Sequence, residues 1–516
     1  MIDANVHLEC PAGRKTPMNL RTLLLTLLIL CPWASVCPAD APSSADFDAV
    51  AREAFATGAT PGMSVAVVQG DKTLFVSGYG LADVERRIPV TAETVFYVAS
   101  TGKAFTALEA QLVAAKGGFS LDDPLSKLLP GAPLDPALDP ARISLRDLLT
   151  HTHGISNRGP VSIRCAFTGE GTSEELAGLL RFHPPAKDGR AFTYSNVGYD
   201  IAGLVLDRKV EGGWRAGIER DVLVPLGMRR SGPRISRFAS KDLAQPYELG
   251  TSGFEPVRYS KTDENMNASG GELSTAADLA RFVRVHLGEG RLEGRVIFPA
   301  RLILESRRLQ ADQTKQFGEM ERYGWGLGWD LSTYEGDSLV SRFGSYSGFR
   351  SHVSYIPSRG IGIVVLVNGG AAASPFADAL ALSLYDRLLE RGDAGERFRS
   401  RLERYKADLA KGTEMIRQER ARRAARSQQL PHDLSAYEGV YVSPQYGRMR
   451  WKATGGRLEV TMGAASSVAE VYEAAANKLR VELMGSGSVV EFAIPEGATR
   501  ATGLKFLDAE FTRSGS

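Results

Sequence analysis

Ser100 and Lys103 lie one helical turn apart in the stretch YVASTGKAFTALEAQLVAAKGG, Tyr97 to Gly118. Apolar residues recur there at helical spacing, which predicts one amphipathic helix facing a core. A serine hydroxyl becomes a nucleophile when a base takes its proton, and burial can lower the pKa of a lysine enough for that task. Unpaired amides at the helix start would stabilise an oxyanion. The pattern predicts covalent catalysis, although an N-capping serine before an exposed lysine shows the same spacing.

A tyrosine and an asparagine lie two residues apart in FTYSNVGYDIAG, just before a second apolar helical pattern. The phenol of Tyr194 ionises more readily beside a lysine ammonium and can then carry protons to a leaving group. The side-chain amide of Asn196 can bind a substrate carbonyl. The alternative interpretation is a buried, hydrogen-bonded tyrosine followed by a capping asparagine.

A basic residue and two glycines open the strand-like stretch SRFGSYSGFRSHVSYIP. Gly344 and Gly348 would let a ligand lie against the edge of this strand, and a free edge can accept an extended peptide. Arg342 could bind a substrate carboxylate with its fork of donors and keep the field around Lys103 positive. Taken alone, Arg342 is also typical of a surface arginine near a turn.

The charge balance of the chain excludes several classes of function. Lys and Arg number 62 against 60 Asp and Glu, so the 516 residues carry a net charge of only +2. This balance gives no field that would attract nucleic acid or an acidic membrane. We therefore expect a small-molecule or peptide substrate, no nucleic-acid partner and no cofactor. His151 and His153 alternate in HTHG, but no carboxylate or cysteine cluster joins them, so no metal site is expected.

The first residues have the pattern of an export signal. MNLRTLLLTLLILCPWASVCPADA begins at Met18, carries Arg21 as its positive flank and continues in an apolar core too short to span a bilayer. We expect a signal peptide over residues 1–41, export to the periplasm and no membrane span in the mature chain. A lipid anchor through Cys31 or Cys37 and an uncleaved N-terminal anchor are the alternatives.

A single cysteine, Cys165, lies beyond this signal, so the mature protein cannot form an internal disulfide. Export without a disulfide is consistent with a periplasmic protein whose fold depends on its apolar cores. No His or Asn arrangement singles Cys165 out as a nucleophile, and we expect it to be a packing residue.

The order of the elements predicts an α+β fold with an additional all-β unit. A β-hairpin comes early and strand signals return late in residues 42–395, so one antiparallel sheet is built from both ends of this segment, with helices between them. Residues 396–430 are crowded with charge and predict a solvated linker of one helix or two, interrupted near Gly412. Short alternating runs over residues 431–516 predict six to eight strands in a small sandwich or barrel.

Taken together, the three motifs resemble those of the penicillin-recognising serine hydrolases, of the class C β-lactamase, D-alanyl-D-alanine peptidase and esterase type. Their patterns are Ser-x-x-Lys, Tyr-x-Asn and a basic residue two before a glycine. The resemblance covers about residues 47–389 and includes TPGMSVAVVQ, LLTHTHGIS, NASGGELSTAADLARF and YGWGLGWD. It implies a β-lactamase-like antiparallel sheet flanked by helices, with a helical insertion. Residues 431–516 resemble the lipocalin-like barrel appended to some members of this family.

The resemblance also implies a role for each site residue. Ser100 becomes the acylated nucleophile, Lys103 and Tyr194 share the general-base and proton-relay duties, and Asn196 holds the substrate amide. The main-chain amides of Ser100 and Ser345 would form the oxyanion hole.

The third motif departs from the family pattern, because Arg342 and Phe343 stand where Lys or His followed by Thr or Gly is usual. Phe343 is bulky for that position. We expect a periplasmic serine hydrolase that acts through an acyl-enzyme on a peptide, amide or β-lactam bond. D-alanyl peptides of the cell wall are the expected substrate, since export and Arg342 favour a carboxylate-bearing molecule. A secreted esterase of the same fold and a non-catalytic β-lactam or muropeptide sensor are the alternatives.

Overall fold

A computed structural model of the chain describes residues 42–257, 261–427 and 429–515. The predicted signal peptide, with Cys31 and Cys37, lies outside the described residues. Two nine-stranded antiparallel sheets organise the described chain. Within the described ranges, no helix combines the length and the apolar character that crossing a lipid bilayer requires.

The first sheet takes its strands from both ends of the predicted segment, which confirms that expectation. In chain order its strands are β1 Gly62–Gln69, β2 Lys72–Asp83, β3 Ile88–Pro89, β4 Ala311–Phe317, β5 Met320–Trp325, β6 Asp330–Tyr334, β7 Asp337–Tyr346, β8 Phe349–Ile356 and β9 Ile361–Val367. Their spatial order is β4-β5-β6-β7-β8-β9-β1-β2-β3. Three short ribbons lie outside it: Phe96–Tyr97 with Leu273–Ser274, Tyr247–Leu249 with Phe254–Pro256, and Arg291–Leu292 with Arg295–Val296.

Helices cover both faces of this sheet. In chain order they are α1 Ser44–Phe55, α2 Gly102–Ala115, α3 Leu125–Leu128, α4 Leu145–Leu149, α5 Pro160–Ile163, α6 Ser173–Gly178, α7 Asn196–Lys209, α8 Gly213–Gly217, α9 Val224–Leu226, α10 Ala276–Leu287, α11 Ala300–Ser306, α12 Ser374–Leu388 and α13 Ala394–Ala424. The first core lies among α2, α7, α10 and one sheet face, and the second among α1, α12, α13 and the other.

The central strand β1 has the almost continuously apolar sequence GMSVAVVQ because both of its faces are covered. Side chains alternate across a strand, so Ala66 and Val68 join the first core while Val65 and Val67 join the second. All four are fully buried. A strand covered on both faces needs apolar residues at every position rather than at every second one.

The helix predicted over Tyr97–Gly118 is shorter than expected. Tyr97 belongs to a short ribbon with Leu273, and α2 begins at Gly102 after a 3₁₀ turn over Ala99–Thr101. The prediction of an amphipathic helix is also wrong, since every residue from Gly102 to Val113 is buried. The reason is position: α2 lies inside the first core and is surrounded by it, so it has no solvent face.

The charged segment forms one helix rather than two. The 31-residue α13 runs without a break through Gly412, so the predicted interruption there is wrong. A single interior glycine costs a helix only about 1 kcal/mol. The first half of α13 is held to the second core by Phe398, Leu402 and Tyr405, and this packing outweighs that cost.

The second sheet follows α13 and has nine strands rather than six to eight. They are β10 Gly439–Ser443, β11 Gly447–Thr454, β12 Arg457–Met462, β13 Ala465–Val468, β14 Glu470–Glu473, β15 Lys478–Val481, β16 Ser488–Ala493, β17 Gly503–Phe506 and β18 Ala509–Arg513. The short β13 and β14 lack clear apolar alternation, and sequence patterning missed them. The spatial order of the strands is β13-β12-β11-β10-β18-β17-β16-β15-β14, so β13 and β14 form the two edges of the sheet. Along the chain, a single residue separates these two edge strands. The sheet therefore curls into a nearly closed barrel around its own aromatic core.

Candidate active site

Ser100 lies in the 3₁₀ turn that precedes α2, where the backbone is strained. Ala99 has a φ of +47°, in the left-handed region that non-glycine residues disfavour. Gly270 presses against this turn: a Cβ there would lie 2.8 Å from the carbonyl carbon of Ala99 and 3.1 Å from the nitrogen of Ser100. Ser100 stays partly exposed although Ala99 and Thr101 are buried. The fold thus presents one hydroxyl at a surface from a closely packed turn.

Lys103 is fully buried one turn after Ser100. Its Nζ lies 3.2 Å from Ser100 Oγ, 2.7 Å from Asn196 Oδ1 and 2.5 Å from the main-chain oxygen of Ser269. A neutral amine has two N–H donors and one lone pair. If it donates to the two amide-type oxygens, its lone pair remains for the hydroxyl proton of Ser100.

The surroundings of Lys103 favour that neutral form. Burial lowers the pKa of Lys103 below its usual range; nearby Tyr194 opposes this shift and the cation of Arg342 adds to it. The acceptors of its N–H groups are an amide oxygen and a main-chain oxygen, so among the described residues no carboxylate bonds the amine directly and offsets the cost of a buried ammonium. Lys103 therefore has the properties of a general base for Ser100.

Tyr194 faces the same cluster from the residues before α7. Arg342 Nη2 donates a hydrogen bond of 2.7 Å to its hydroxyl, and Lys103 Nζ lies 5.0 Å from its ring centre. Burial alone would raise the pKa of Tyr194, but the cation of Arg342, together with the neighbouring Lys103 and Ser100, lowers it to about 8. The side chain is 42 % exposed. Tyr194 can therefore exchange a proton both with the site and with solvent near neutral pH.

The guanidinium of Arg342 is 3 % exposed and is bound at all three nitrogens. Nε donates to the main-chain oxygen of Ser100 at 2.8 Å, Nη1 to Asp330 Oδ2 at 2.9 Å and Nη2 to Tyr194. These bonds use three of the five guanidinium N–H donors, and a residue only 3 % exposed offers a substrate carboxylate little access to the other two. The geometry favours a role in polarising Tyr194 and holding the turn of Ser100.

Phe343 lies on the other side of the sheet from Arg342. Successive side chains of β7 point to opposite faces, so Phe343 joins the second core and lies between the guanidinium groups of Arg322 and Arg350, 5.3 and 5.0 Å from its ring centre. The bulk that looked unsuitable from the sequence therefore does not enter the cluster around Ser100.

Gly344 and Ser345 continue β7 past the turn of Ser100. A Cβ at Gly344 would lie 1.9 Å from the main-chain oxygen of Val98, so the glycine permits direct contact between the two backbones. Ser345 is exposed. Strand β6 pairs with β7 only as far as Ser341, whereas β8 continues to Tyr346. Among the described strands, the last five residues of β7 thus have no partner on the β6 side, which leaves an edge for an extended ligand.

These residues come together from three distant parts of the chain, and comparison with known proteins shows the family to which the chain belongs. A profile of the β-lactamase family matches residues 47–386. The chain belongs to the β-lactamase family.

Two curated relatives and one solved structure illustrate the similarity. A β-lactamase of Pseudomonas fluorescens is 27% identical over 338 residues, covering 60% of this chain and 88% of that protein. Protein flp of Staphylococcus aureus strain COL is 25% identical over 328 residues, 63% of each chain, so this chain spans less than two thirds of that relative's length. The octameric penicillin-binding protein homologue from Pyrococcus abyssi has a TM-score of 0.57 and 24% identity, over 91% of this chain and 99% of its own. That likeness shows the fold.

The two histidines of the family landmark LLTHTHGIS take part in different local networks. His151 Nδ1 accepts from the amide of Ser195 at 3.2 Å, and its ring packs 4.6 Å from that of Tyr194. His153 Nδ1 accepts from the amide of Ile155 at 3.0 Å. Burial lowers the pKa of His151 far below its usual range and that of His153 to about 4. Both rings are therefore neutral supports. Across the described ranges, no three His, Cys, Asp or Glu side chains group as metal ligands.

Asn157, just after that landmark, supports the site and was not identified from the sequence. Its Oδ1 accepts from the amides of Asn196 and Val197 at 2.9 and 3.1 Å and from the Ser195 hydroxyl at 3.3 Å. It thereby satisfies the first N–H groups of α7, which otherwise have no capping side chain. The sequence gives no local sign of this contact, because Asn157 and Asn196 lie 39 positions apart in the chain.

Cys165 is buried in the described structure, and Asn267 Nδ2 donates to its sulfur at 2.9 Å. Burial raises the pKa of this thiol well above its usual value, with the carboxyl of Asp200 acting in the same direction. A buried protonated thiol is a poor nucleophile.

Proposed function

We propose that this member of the β-lactamase family is a serine hydrolase that acts through an acyl-enzyme on Ser100. The observation that carries this proposal is the distance of 3.2 Å between Lys103 Nζ and Ser100 Oγ, at a lysine whose pKa burial lowers. A hydroxyl within hydrogen-bond reach of a neutral amine is the arrangement that nucleophilic catalysis requires.

In the proposed acylation step, Lys103 or Tyr194 takes the proton of Ser100, and Oγ forms a bond to the substrate carbonyl carbon. The amides of Ser100 and Ser345 would receive the developing oxyanion. The bond to the leaving group then breaks, and that group receives the proton directly from Tyr194 or from Lys103 by way of Tyr194. In deacylation, water loses a proton to the same pair and its oxygen bonds the carbonyl carbon. The bond to Ser100 Oγ then breaks, and Oγ takes back that proton.

The bond proposed for cleavage is an amide or a β-lactam. The relative named β-lactamase and the similarity to a penicillin-binding protein homologue support this choice. D-alanyl peptides of the cell wall, met after export to the periplasm, are the finer proposal. The free edge of β7 beyond Ser341 supports it, because an extended peptide can bind there.

A second candidate is an esterase of the same fold, and the state of Arg342 favours it. A D-alanyl peptide ends in a carboxylate, whereas Arg342 is only 3 % exposed and already binds the carboxylate of Asp330 within the protein. Neutral esters require no such cation. We also propose the division of the chain into a hydrolase domain over residues 42–395, a helical linker over 396–430 and a lipocalin-like barrel over 431–516.

The proposal is tested by incubating the full chain with a fluorescent penicillin and, separately, a p-nitrophenyl ester, followed by mass mapping of any adduct. We expect label on Ser100, none on the Ser100→Ala variant and full label on Ser126→Ala, which removes an exposed hydroxyl on α3. Label elsewhere, or label that persists in Ser100→Ala, would overturn the mechanism. Release of the penicillin label within minutes separates an enzyme from a sensor that stays acylated, and label from the ester alone favours the esterase.

A further inference from the structure

Asp200 is a buried carboxyl that the proposed acylation step does not use. It lies on α7 and is 1 % exposed, and neither of its oxygens makes a hydrogen bond of good geometry to the described residues. An ionised carboxylate without strong hydrogen bonds is costly in such surroundings. A buried carboxyl at a position that an apolar residue could fill is therefore a candidate for a role in the active site.

The geometry places Asp200 beside Lys103. Asn196 lies four residues earlier on the same face of α7, and helical side chains lean toward the N-terminus, so the carboxyl of Asp200 reaches back toward Asn196. Asn196 Oδ1 is 2.7 Å from Lys103 Nζ. Further along this face, a Cβ at Gly203 would lie 2.7 Å from that of Ala268, so α7 packs directly on the residues that precede Ser269. Ser269 supplies the other oxygen that holds Lys103.

Among the described residues, three titratable side chains face Asp200 from the elements packed on it. They are Lys103 from α2, Lys261 from the segment before α10, and Cys165 from the segment after α5. Burial raises the pKa of Asp200 to about 7; Ser269, Lys103 and Lys261 hold it from rising further. Conversely, Asp200 opposes the fall of the pKa of Lys103. Two groups that interact in this way titrate as a pair.

Glu272 is the other buried carboxyl that faces Lys103. It is 2 % exposed, and its Oε2 fills the space where a side chain on Gly102 would begin. Burial raises the pKa of Glu272 to about 8, so this group also gains charge between about pH 7 and 9. Tyr194 also acts on Lys103, but from the side of Arg342. The charge of Asp200 opposes the fall of the pKa of Lys103, so removing that charge should act on Lys103.

We propose that Asp200 is a positioning residue whose negative charge holds a proton on Lys103 and thereby sets the pH above which Lys103 can take the proton of Ser100. The inference rests on the proposed acyl-enzyme function. As the pH rises, the ammonium of Lys103 loses that proton to water, and the neutral amine that acylation requires is left.

The test is the pH dependence of Ser100 labelling by the p-nitrophenyl ester in the full-length Asp200→Asn variant, between about pH 5 and 9. Asparagine keeps the shape of the side chain and removes the negative charge that holds a proton on Lys103. In the wild type that charge develops as the pH rises through about 7, so Asp200 is largely protonated at pH 6 and ionised at pH 8. The variant therefore lowers the pKa of Lys103 mainly above pH 7, and labelling at pH 8 rises relative to that at pH 6 by up to about tenfold.

Glu109→Gln is the matched control. Glu109, on α2, resembles Asp200 in being a buried carboxyl without a hydrogen bond of good geometry, and burial raises its pKa to about 7. The charges that face Glu109 are instead those of Asp221, Lys116 and Arg220. We expect its profile to match the wild type.

Three results separate the hypotheses. An Asp200→Asn profile that superimposes on the wild type, or that falls equally at every pH, overturns the inference. Absence of wild-type labelling overturns the proposed function instead. If Asp200→Asn does not fold, Asp200→Ser removes the same carboxyl, and the same change in the pH dependence of labelling is expected of it.

Discussion

Arg342 donates a hydrogen bond of 2.7 Å from Nη2 to the hydroxyl of Tyr194, while its other two nitrogens bind Ser100 and Asp330. One buried cation thus fixes the turn of the nucleophile and favours the phenolate form of the tyrosine. Asp330 keeps the guanidinium in place and charged, because a buried arginine without an anion would carry a large desolvation cost. The basic residue of the third motif therefore acts on Tyr194 and on the turn of Ser100 through bonds inside the protein.

Arg342→Lys keeps the charge but loses the three-way geometry. We expect the pKa of Tyr194 to rise from about 8 toward that of a free phenol, and labelling of Ser100 at pH 7 to fall by about tenfold to a hundredfold. The loss should be equal for a penicillin, which carries a carboxylate, and for a neutral ester. Rate constants for both probes give the comparison.

Arg350→Lys is the control for that substitution, since Arg350 is a buried arginine on β8 with its own partner, Asp378, at 3.0 Å. Its labelling rate should not change. A loss in Arg342→Lys that is confined to the penicillin would contradict the polarising role of Arg342 and restore it as a carboxylate ligand.

Tyr194→Phe removes the phenol and leaves the packing of the ring. With a pKa of about 8, the phenolate is present above that pH and lost as the pH falls through it, so the wild-type acylation rate should rise through this range. The variant should lose that rise and be slower by about two to four orders of magnitude. Tyr199→Phe is the comparison, because Tyr199 is a buried neighbour 5.4 Å from Lys103 Nζ whose hydroxyl bonds the main chain of Leu149. It should keep the wild-type profile; if both variants behave alike, Tyr194 has no special role.

The structure brings the three motifs together, and each motif carries its own local structure. Ser100 and Lys103 share one turn, and Tyr194 and Asn196 precede one helix, so each pair needed only to be brought to the other. The alternation of β7 was also readable from SRFGSYSGF, but the pattern alone does not say which face of the strand packs on the second core and which faces Ser100. The contacts of Arg342 with Asp330 and Tyr194 depend on strand order, which no single stretch contains.

The supporting residues escaped prediction for the same reason. Asn157, Ser269 and Asp200 act on residues far away in the chain, and none has a motif of its own. The continuity of α13 through Gly412 depends on packing of the first half of the helix. Sequence patterning sees the glycine and the charges but not that packing.

Asn157→Ala removes the oxygen that receives the first amides of α7. Loss of a cap typically costs about 1 kcal/mol of stability, and the displaced start of α7 should slow Ser100 labelling because Asn196 begins that helix. Asn157→Asp retains the acceptor oxygen and should therefore lose little stability and little of the labelling rate. Urea unfolding and labelling rates measure the two effects. If Asn157→Ala lost stability and kept the full rate, Asn157 would be a cap without influence on the site.

Phe343→Ala should affect stability rather than acylation. The side chain is 6 % exposed in the second core, and truncating such a phenylalanine costs about 3–5 kcal/mol. The cluster around Ser100 lies on the opposite face of β7, so the rate per folded molecule should stay within about threefold of the wild type. Active-site titration gives the folded fraction. A much larger change in rate at equal folded fraction would place Phe343 in the substrate cleft.

The second sheet touches the segment that leads from α5 toward the site. Ala464 donates from its amide to the main-chain oxygen of Thr168 at 2.8 Å, and a Cβ at the preceding Gly463 would lie 2.2 Å from that oxygen. On the other side of the segment, the ring of Phe167 stacks 5.6 Å from that of Tyr346, which follows Ser345 on β7.

Gly463→Val should therefore push Thr168 and Phe167 and alter the cleft beside Ser345. We expect slower acylation by the bulky fluorescent penicillin than by the small ester, with the folded fraction largely retained. Gly455→Val is the matched control: both glycines have a φ close to +55°, but nothing lies within 4 Å of a Cβ at Gly455. Backbone strain is thus the same in both variants, and only Gly463→Val moves the segment. Equal effects on both probes in both variants would mean that the barrel is attached to the hydrolase fold without shaping its site.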